Sequence, residues 1–194
     1  SVNTDAFILK INPVLDFQLG YKNTGDFPLR FMNTRGAEVR GYIKKKLGFY
    51  TYFTDNQMRN MGYVQQFIAD NQAVPGEGFY KKFRETGVDY FTARGYITFN
   101  VLEHVDVAFG HDRHFWGNGM RSLYLSDFGQ NMFFLKFQTT IWRITYTNLF
   151  TELIAPYERG LDRVLPKKYG AFHHLNIKIT NWLDIGLFEG IMYQ

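Results

Sequence analysis

Cysteine is absent from the chain, so no disulfide framework and no thiolate metal site can be built from it. Nor does any run approach the roughly 18 consecutive apolar residues that a helical membrane span requires, which excludes a helical membrane protein. Charge of one sign is scarce: the net charge is +4 with a pI of about 9.2. The lysines form no stripe of the kind that tracks a phosphate backbone; Lys44, Lys45 and Lys46 instead sit together where the pattern places a tight turn. Nucleic acid is therefore not an expected partner. There is no strand followed by a glycine-rich loop and helix, so no phosphate cradle is expected. No initiator Met or signal peptide is present, and Ser1 reads as a mature terminus or the edge of a fragment.

What is abundant is alternation. Aromatic residues make up 19% of the chain, with 20 Phe and 13 Tyr, yet mean hydropathy is only −0.27 because nearly every second strand residue is polar. Phe7, Leu9, Ile11, Leu15, Phe17 and Leu19 fall on one face of an extended chain, and Lys10, Asn12, Asp16 and Gln18 on the other. Successive strand side chains point to opposite faces, so this describes strands with one apolar and one wet side. Their length exceeds the usual 5–6 residues and suits the roughly 9–11 that a tilted strand needs to cross a bilayer.

The pattern predicts about nine strands, near 7–20, 33–43, 47–55, 91–101, 105–112, 131–138, 142–149, 171–179 and 183–193. Phase shifts in the alternation place tight turns around 44–46, 102–104, 139–141 and 180–182. These alternate with long connections near 56–90, 113–130 and 150–170. Short turns at one end and long loops at the other are the habit of outer-membrane barrels. The expected fold is therefore all-β: an antiparallel transmembrane β-barrel of the Gram-negative cell outer membrane, with residues 1–194 forming part of a single barrel domain. An odd count ending in strand sequence reads as a fragment, because open edges are not tolerated in lipid. Met58, Met61, Val64, Phe67 and Ile68 recur at helical spacing, so the first long loop is expected to contain a helix.

Several residues invite a chemical reading. His111, Asp112, Arg113 and His114 cluster, but two histidines without a third ligand make neither a metal site nor a catalytic one, and a polar strand end is the simpler reading. His173 and His174 are adjacent in a strand and should face opposite ways. Trp142 and Trp182 sit beside predicted turns, where barrels place aromatic girdles. Trp116 lies in a long loop beside Arg113, His114 and Arg121; with Tyr124 these five are the candidate contacts for a sugar or a partner. Arg94, Lys136, Arg143 and Lys178, set against Glu38, Asp106 and Asp184, are expected to line the interior with salt bridges. Glu189 breaks the outward apolar phase of the last strand, for which a bulge near Gly186 or Gly190 is the available explanation.

The segments FGHDRHFWGNGMRSLYLSDF (109–128), IWRITYTNLF (141–150) and KKYGAFHHLNIKITNWLDIGLFEG (167–190), with YFTDNQ (52–57) and AVPGEGFYKKF (73–83), resemble the capsule assembly Wzi family of outer-membrane proteins. The likeness extends over most of residues 38–190 and is nearest the gliding-motility and capsule-assembly-like branch. It implies a barrel of about 18 strands closed by extracellular helices and loops, a lectin-like role toward capsular polysaccharide, and no enzymatic step or cofactor. The family's sugar-contacting positions do not map onto this chain, so no binding residue is transferred. The expected partners are outer-membrane lipid and lipopolysaccharide, capsular or exopolysaccharide, and other outer-membrane proteins. The expected function is a non-enzymatic barrel that binds or organises surface polysaccharide, the alternative being an accessory subunit of a motility, secretion or uptake assembly.

Overall fold

The computed structural model describes residues 2–4, 6–23, 28–44, 46–154 and 166–193. The chain is all-β with one short helix among these residues: β1 (Val2–Asn3), β2 (Phe7–Tyr21), β3 (Leu29–Ile43), β4 (Leu47–Arg59), α1 (Gly62–Asn71), β5 (Lys81–Phe83), β6 (Gly87–Leu102), β7 (Val105–Asp112), β8 (Met132–Ile141), β9 (Ile144–Ile154), β10 (Lys167–Lys178) and β11 (Asp184–Tyr193). All belong to one antiparallel sheet whose spatial order follows the chain, β1-β2-β3-β4-β6-β7-β8-β9-β10-β11, with β5 paired beside the start of β6. Eleven strands thus replace the nine read from the alternation, the extra two being the short β1 and β5. Among the described residues β11 pairs only with β10, and the sheet is open.

Strands β3, β4, β6 and β10 are longer at the long-loop end than the apolar alternation marks. There the exposed face turns polar and cross-strand bonds take over from apolar burial. Arg35 meets Asp55 at 2.8 Å, and the Gln57 amide donates to Asp89 at 3.2 Å. The connection expected at 56–90 therefore shrinks to the segment between Arg59 and Gly87. That expected at 150–170 narrows likewise, since β9 reaches Ile154 and β10 starts at Lys167, and most of it lies outside the described residues. Trp142 and Arg143 belong to a turn, with Ile141 paired to Ile144 and Trp142 at φ 54°. The strand read as 142–149 accordingly begins at Ile144.

The two faces of the sheet differ. One carries α1 and the loop between β7 and β8. Met32, Met58 and Val88 stand in one cross-strand row, and Val64 and Ile68 of the helix pack on them together with Val74, Tyr80 and Tyr90. Met58, read as the first helical residue, is a strand residue beneath the helix. The helix ends at Gln72, whose left-handed backbone lets its N–H reach the Ile68 carbonyl. A second core, Ala108, Phe134, Leu149 and Phe172, underlies the 113–131 loop and is roofed by Trp116, Leu125 and Phe188.

The opposite face is bare and apolar. Leu15, Phe17 and Leu19 of β2 are 64%, 67% and 81% exposed, and Phe91, Phe109, Leu187 and Ile191 on other strands are also more than half exposed. A patch spanning the sheet far exceeds the few hundred Å² tolerated on water-facing monomers. Away from the long-loop end a polar row interrupts it: Asn148, His173 and Glu189 are register partners across β9, β10 and β11. His173 Nδ1 lies 2.7 Å from Asn148 Oδ1 and 3.2 Å from the Tyr146 hydroxyl. The β10–β11 register runs unbroken from Tyr169↔Tyr193 to Lys178↔Asp184, so no bulge explains Glu189. A register shift lies instead between β6 and β7, at Asn100 and Leu102.

Close strand approach depends locally on glycine. A Cβ on Gly36 would collide with the Phe53 carbonyl and lie 2.8 Å from Thr54 Cα, so the backbones of β3 and β4 come together on the loop-covered side only because none is there.

Candidate functional site

The 113–131 loop leaves β7 at Asp112 and folds back over the sheet. Trp116 N donates to the Leu125 carbonyl at 2.8 Å, and Leu125 N returns the bond at 3.3 Å, closing a small hairpin. The hairpin sets Trp116 and Tyr124 side by side over β10 and β11. Tyr124 stacks on Phe188 with ring centres 5.1 Å apart at 13°, and lies 5.9 Å from the His174 ring. Trp116 is 5.8 Å from His174 and meets Phe188 edge-on at 6.1 Å. Offset and edge-on pairs of this kind add about 0.5–1.5 kcal/mol each beyond burial.

Beside this aromatic plate opens a cleft of about 500 Å³ lined by Gly117, Asn118, Gly119, Leu123, Tyr124, His174, Asn176, Asp184 and Gly186. Its size falls within the roughly 300–1,000 Å³ of ligand pockets. Asn176, Gly186 and Asp184 reach it because they share the loop-covered face with His174. Gly186 keeps the floor low, as a Cβ there would sit 3.0 Å from His174 Nε2.

The five candidate contacts separate. Trp116 and Tyr124 come together on His174 and Phe188, and of the two Tyr124 lines the cleft. Arg113 does not join them: its guanidinium donates to Glu77 Oε1 at 2.6 Å, to the Gly76 carbonyl at 3.0 Å and to Asn131 Oδ1 at 3.0 Å. It is a latch between the two long loops. Glu77 Oε2 in turn accepts from Thr92, which accepts from Asn56, which accepts from Thr34, a polar chain running back through β6 and β4 to β3. Arg121 is exposed and makes no hydrogen bond or ion pair among the described residues.

His114 is buried, its ring edge-on to Phe134 at 4.3 Å, and its Nε2 has no hydrogen-bond partner among the described residues. Desolvation, with the positive Lys136 as a smaller contributor, pushes its pKa down to about 4. The unfolded chain then binds a proton near pH 6.5 that the folded chain refuses until about pH 4. Stability is fully present above the unfolded value and falls as pH drops through that window, by about 3 kcal/mol. Unfolding titrations of the parent and of His114→Gln between these pH values should diverge, the variant losing the acid-side decline.

None of the interior salt bridges expected from the sequence forms among the described residues. Arg94 approaches Asp112 at 3.7 Å and lies 4.2 Å over the Tyr52 ring, while Glu38 pairs with Arg40. Arg143 donates instead to the Ile179 carbonyl from its turn, and Asp106 accepts from Asn100. His173 and His174 face opposite sides, as strand geometry requires. From the sequence His174 stands out only as a histidine diverging from His173 and Asp184 only as an interior charge, while Phe188 and Asn176 carry no local sign of a site. Their shared parity along β10 and β11 was a signal that they face one way, but not that a loop descends onto them. No group of three or more His, Asp or Glu is arranged to hold a metal among the described residues. Comparison of the chain with family models, with curated proteins and with solved structures finds no match.

Proposed function

We propose that this chain is the wall of an outer-membrane β-barrel that holds surface polysaccharide, with no catalytic step, in the cleft under the 113–131 loop. The observation that carries the reading is the juxtaposition there of an aromatic plate with Asn118, Asn176 and Asp184. A sugar ring has an apolar C–H face and a rim of hydroxyls; aromatic carbon meets the first, and amide or carboxylate groups meet the second. The bare apolar face supports the membrane placement, because lipid covers such a surface at no cost in exposed hydrocarbon. The short turns would then lie in the periplasm, with Trp142 and Trp182, 84% and 83% exposed, at the headgroup level, and the cleft, whose Asn176 and Asp184 flank the 180–182 turn, would lie inside the barrel where the 113–131 loop descends from the outer mouth. The resemblance to the capsule assembly Wzi family points the same way.

The test is retention of the full-length protein, in mild detergent, on surface polysaccharide from its own cells. Retention should weaken about tenfold or more in Tyr124→Ala, which removes the exposed ring next to the cleft. Equal retention of parent and variant would sink the assignment of the cleft.

The second reading, an accessory subunit of a larger outer-membrane assembly, has its own support in the Asn148–His173–Glu189 row. An ionisable group on a lipid-facing wall is costly, whereas protein docked there could pair it. Mass spectrometry of the retained material distinguishes the two: polysaccharide without a stoichiometric protein favours the tether, and a reproducible protein partner favours the subunit.

A further inference from the structure

We infer that the cleft under the 113–131 loop selects neutral or amine-bearing sugar units and rejects acidic ones, with Asp184 as the residue that sets this preference. The inference rests on the polysaccharide reading of the cleft and narrows it to a substrate class.

Arginine and lysine are missing from the site. A uronic or otherwise acidic sugar is ordinarily held by arginine or lysine. Arg113, the arginine nearest the aromatic plate in sequence, is committed to Glu77 and Asn131 and bridges the two loops. Neither Arg121 nor any lysine lines the cleft, and His114 is sequestered against Phe134. The charged group that does line it is the Asp184 carboxylate.

That carboxylate is uncommitted. Lys178 is its register partner in β10, yet Asp184 forms no ion pair or hydrogen bond among the described residues. Asn118 and Asn176 likewise spend no side-chain hydrogen bonds elsewhere among the described residues. The cleft thus presents one acceptor-only anion and two amides able both to donate and to accept. Vicinal hydroxyls donate to the carboxylate, amide N–H groups return bonds to hydroxyl or ring oxygens, and a free sugar ammonium would form a charge-assisted bond with Asp184. A ligand carboxylate would meet like charge, with no arginine or lysine in the lining to offset it.

The placement of Asp184 makes the test clean. It is an exposed residue at the first position of β11, so Asp184→Asn and Asp184→Lys alter charge without touching the core. Binding of the full chain in detergent is measured calorimetrically against three size-matched oligosaccharides: neutral hexose, hexosamine with free amines, and hexuronic acid. The parent should bind the first two at least about tenfold more tightly than the third, the worth of one charge-assisted bond. Asp184→Asn should cost the hexosamine more than the neutral hexose, and Asp184→Lys should shift preference toward the hexuronic acid. Tighter binding of hexuronic acid by the parent, or an unchanged preference in both variants, would overturn the inference while leaving a sugar site in place. Failure of all three to bind would remove the polysaccharide reading together with it.

Discussion

Leu149→Ala should lower the free energy of unfolding by about 2–5 kcal/mol, the cost of truncating a packed leucine and leaving its cavity. Leu149 is 0% exposed. Its register partners are Lys136 on one side and Phe172 on the other, and it packs with Ala108, Phe134 and Phe172 beneath Trp116, Leu125 and Phe188. The strands around it are tied by backbone ladders and have little freedom to close the gap, which favours the upper part of that range. The effect should reach the cleft, because the rings that Tyr124 and Trp116 lean on rest on this core. Denaturant titration with tryptophan fluorescence reads the stability, and sugar binding by the surviving folded fraction reads the cleft. Met120→Ala is the control: Met120 is 92% exposed and outside the cleft lining, so the variant's stability should stay within about 0.5 kcal/mol of the parent.

Arg113→Leu should uncouple the two long loops and cost about 3 kcal/mol, since it leaves the Glu77 carboxylate, itself only about one-fifth exposed, without its cation. The loss passes along the chain of hydrogen bonds from Glu77 through Thr92 and Asn56 to Thr34. Limited proteolysis should show it first, as cleavage within the segments after Arg59 and after Asp112, before the sheet itself unfolds. Restoring neutrality with Arg113→Leu/Glu77→Leu should recover part of the stability, because no unpaired charge then remains. Unchanged protease sensitivity in the single variant would show that the loops are held by the apolar contacts of α1 and of Trp116 alone.

Strand positions were legible to within a few residues because a period of two leaves a mark on every residue. Phe7 to Leu19 and Ile185 to Ile191 announce their faces without reference to anything else in the chain. Where burial gives way to polar pairing the mark fades: Gln57 and Asp89 look like loop residues until the neighbouring strand is beside them. The helix was legible as a helix from Val64, Phe67 and Ile68, but Met58 was drawn into it because a methionine at the right spacing is the same letter in strand or helix.

The candidate site divides along the same line. Trp116 and Tyr124 stood out as aromatic residues in a polar loop. Arg113 and His114 stood out equally as free chemistry, and nothing local reveals that Glu77, far earlier in the chain, claims the first or that Phe134 covers the second. The sequence by itself determined which face of each strand is apolar, where the chain reverses, and that His173 and His174 diverge, since all of these follow from the alternating geometry of an extended backbone. Tertiary structure alone decided that the 113–131 loop turns back onto β10 and β11, which of its polar residues are spent in holding it there, and which of them, with Asp184, remain free to meet a ligand. Contacts between residues distant in sequence carry no local signature, so they become visible only when the strands that bear them are side by side.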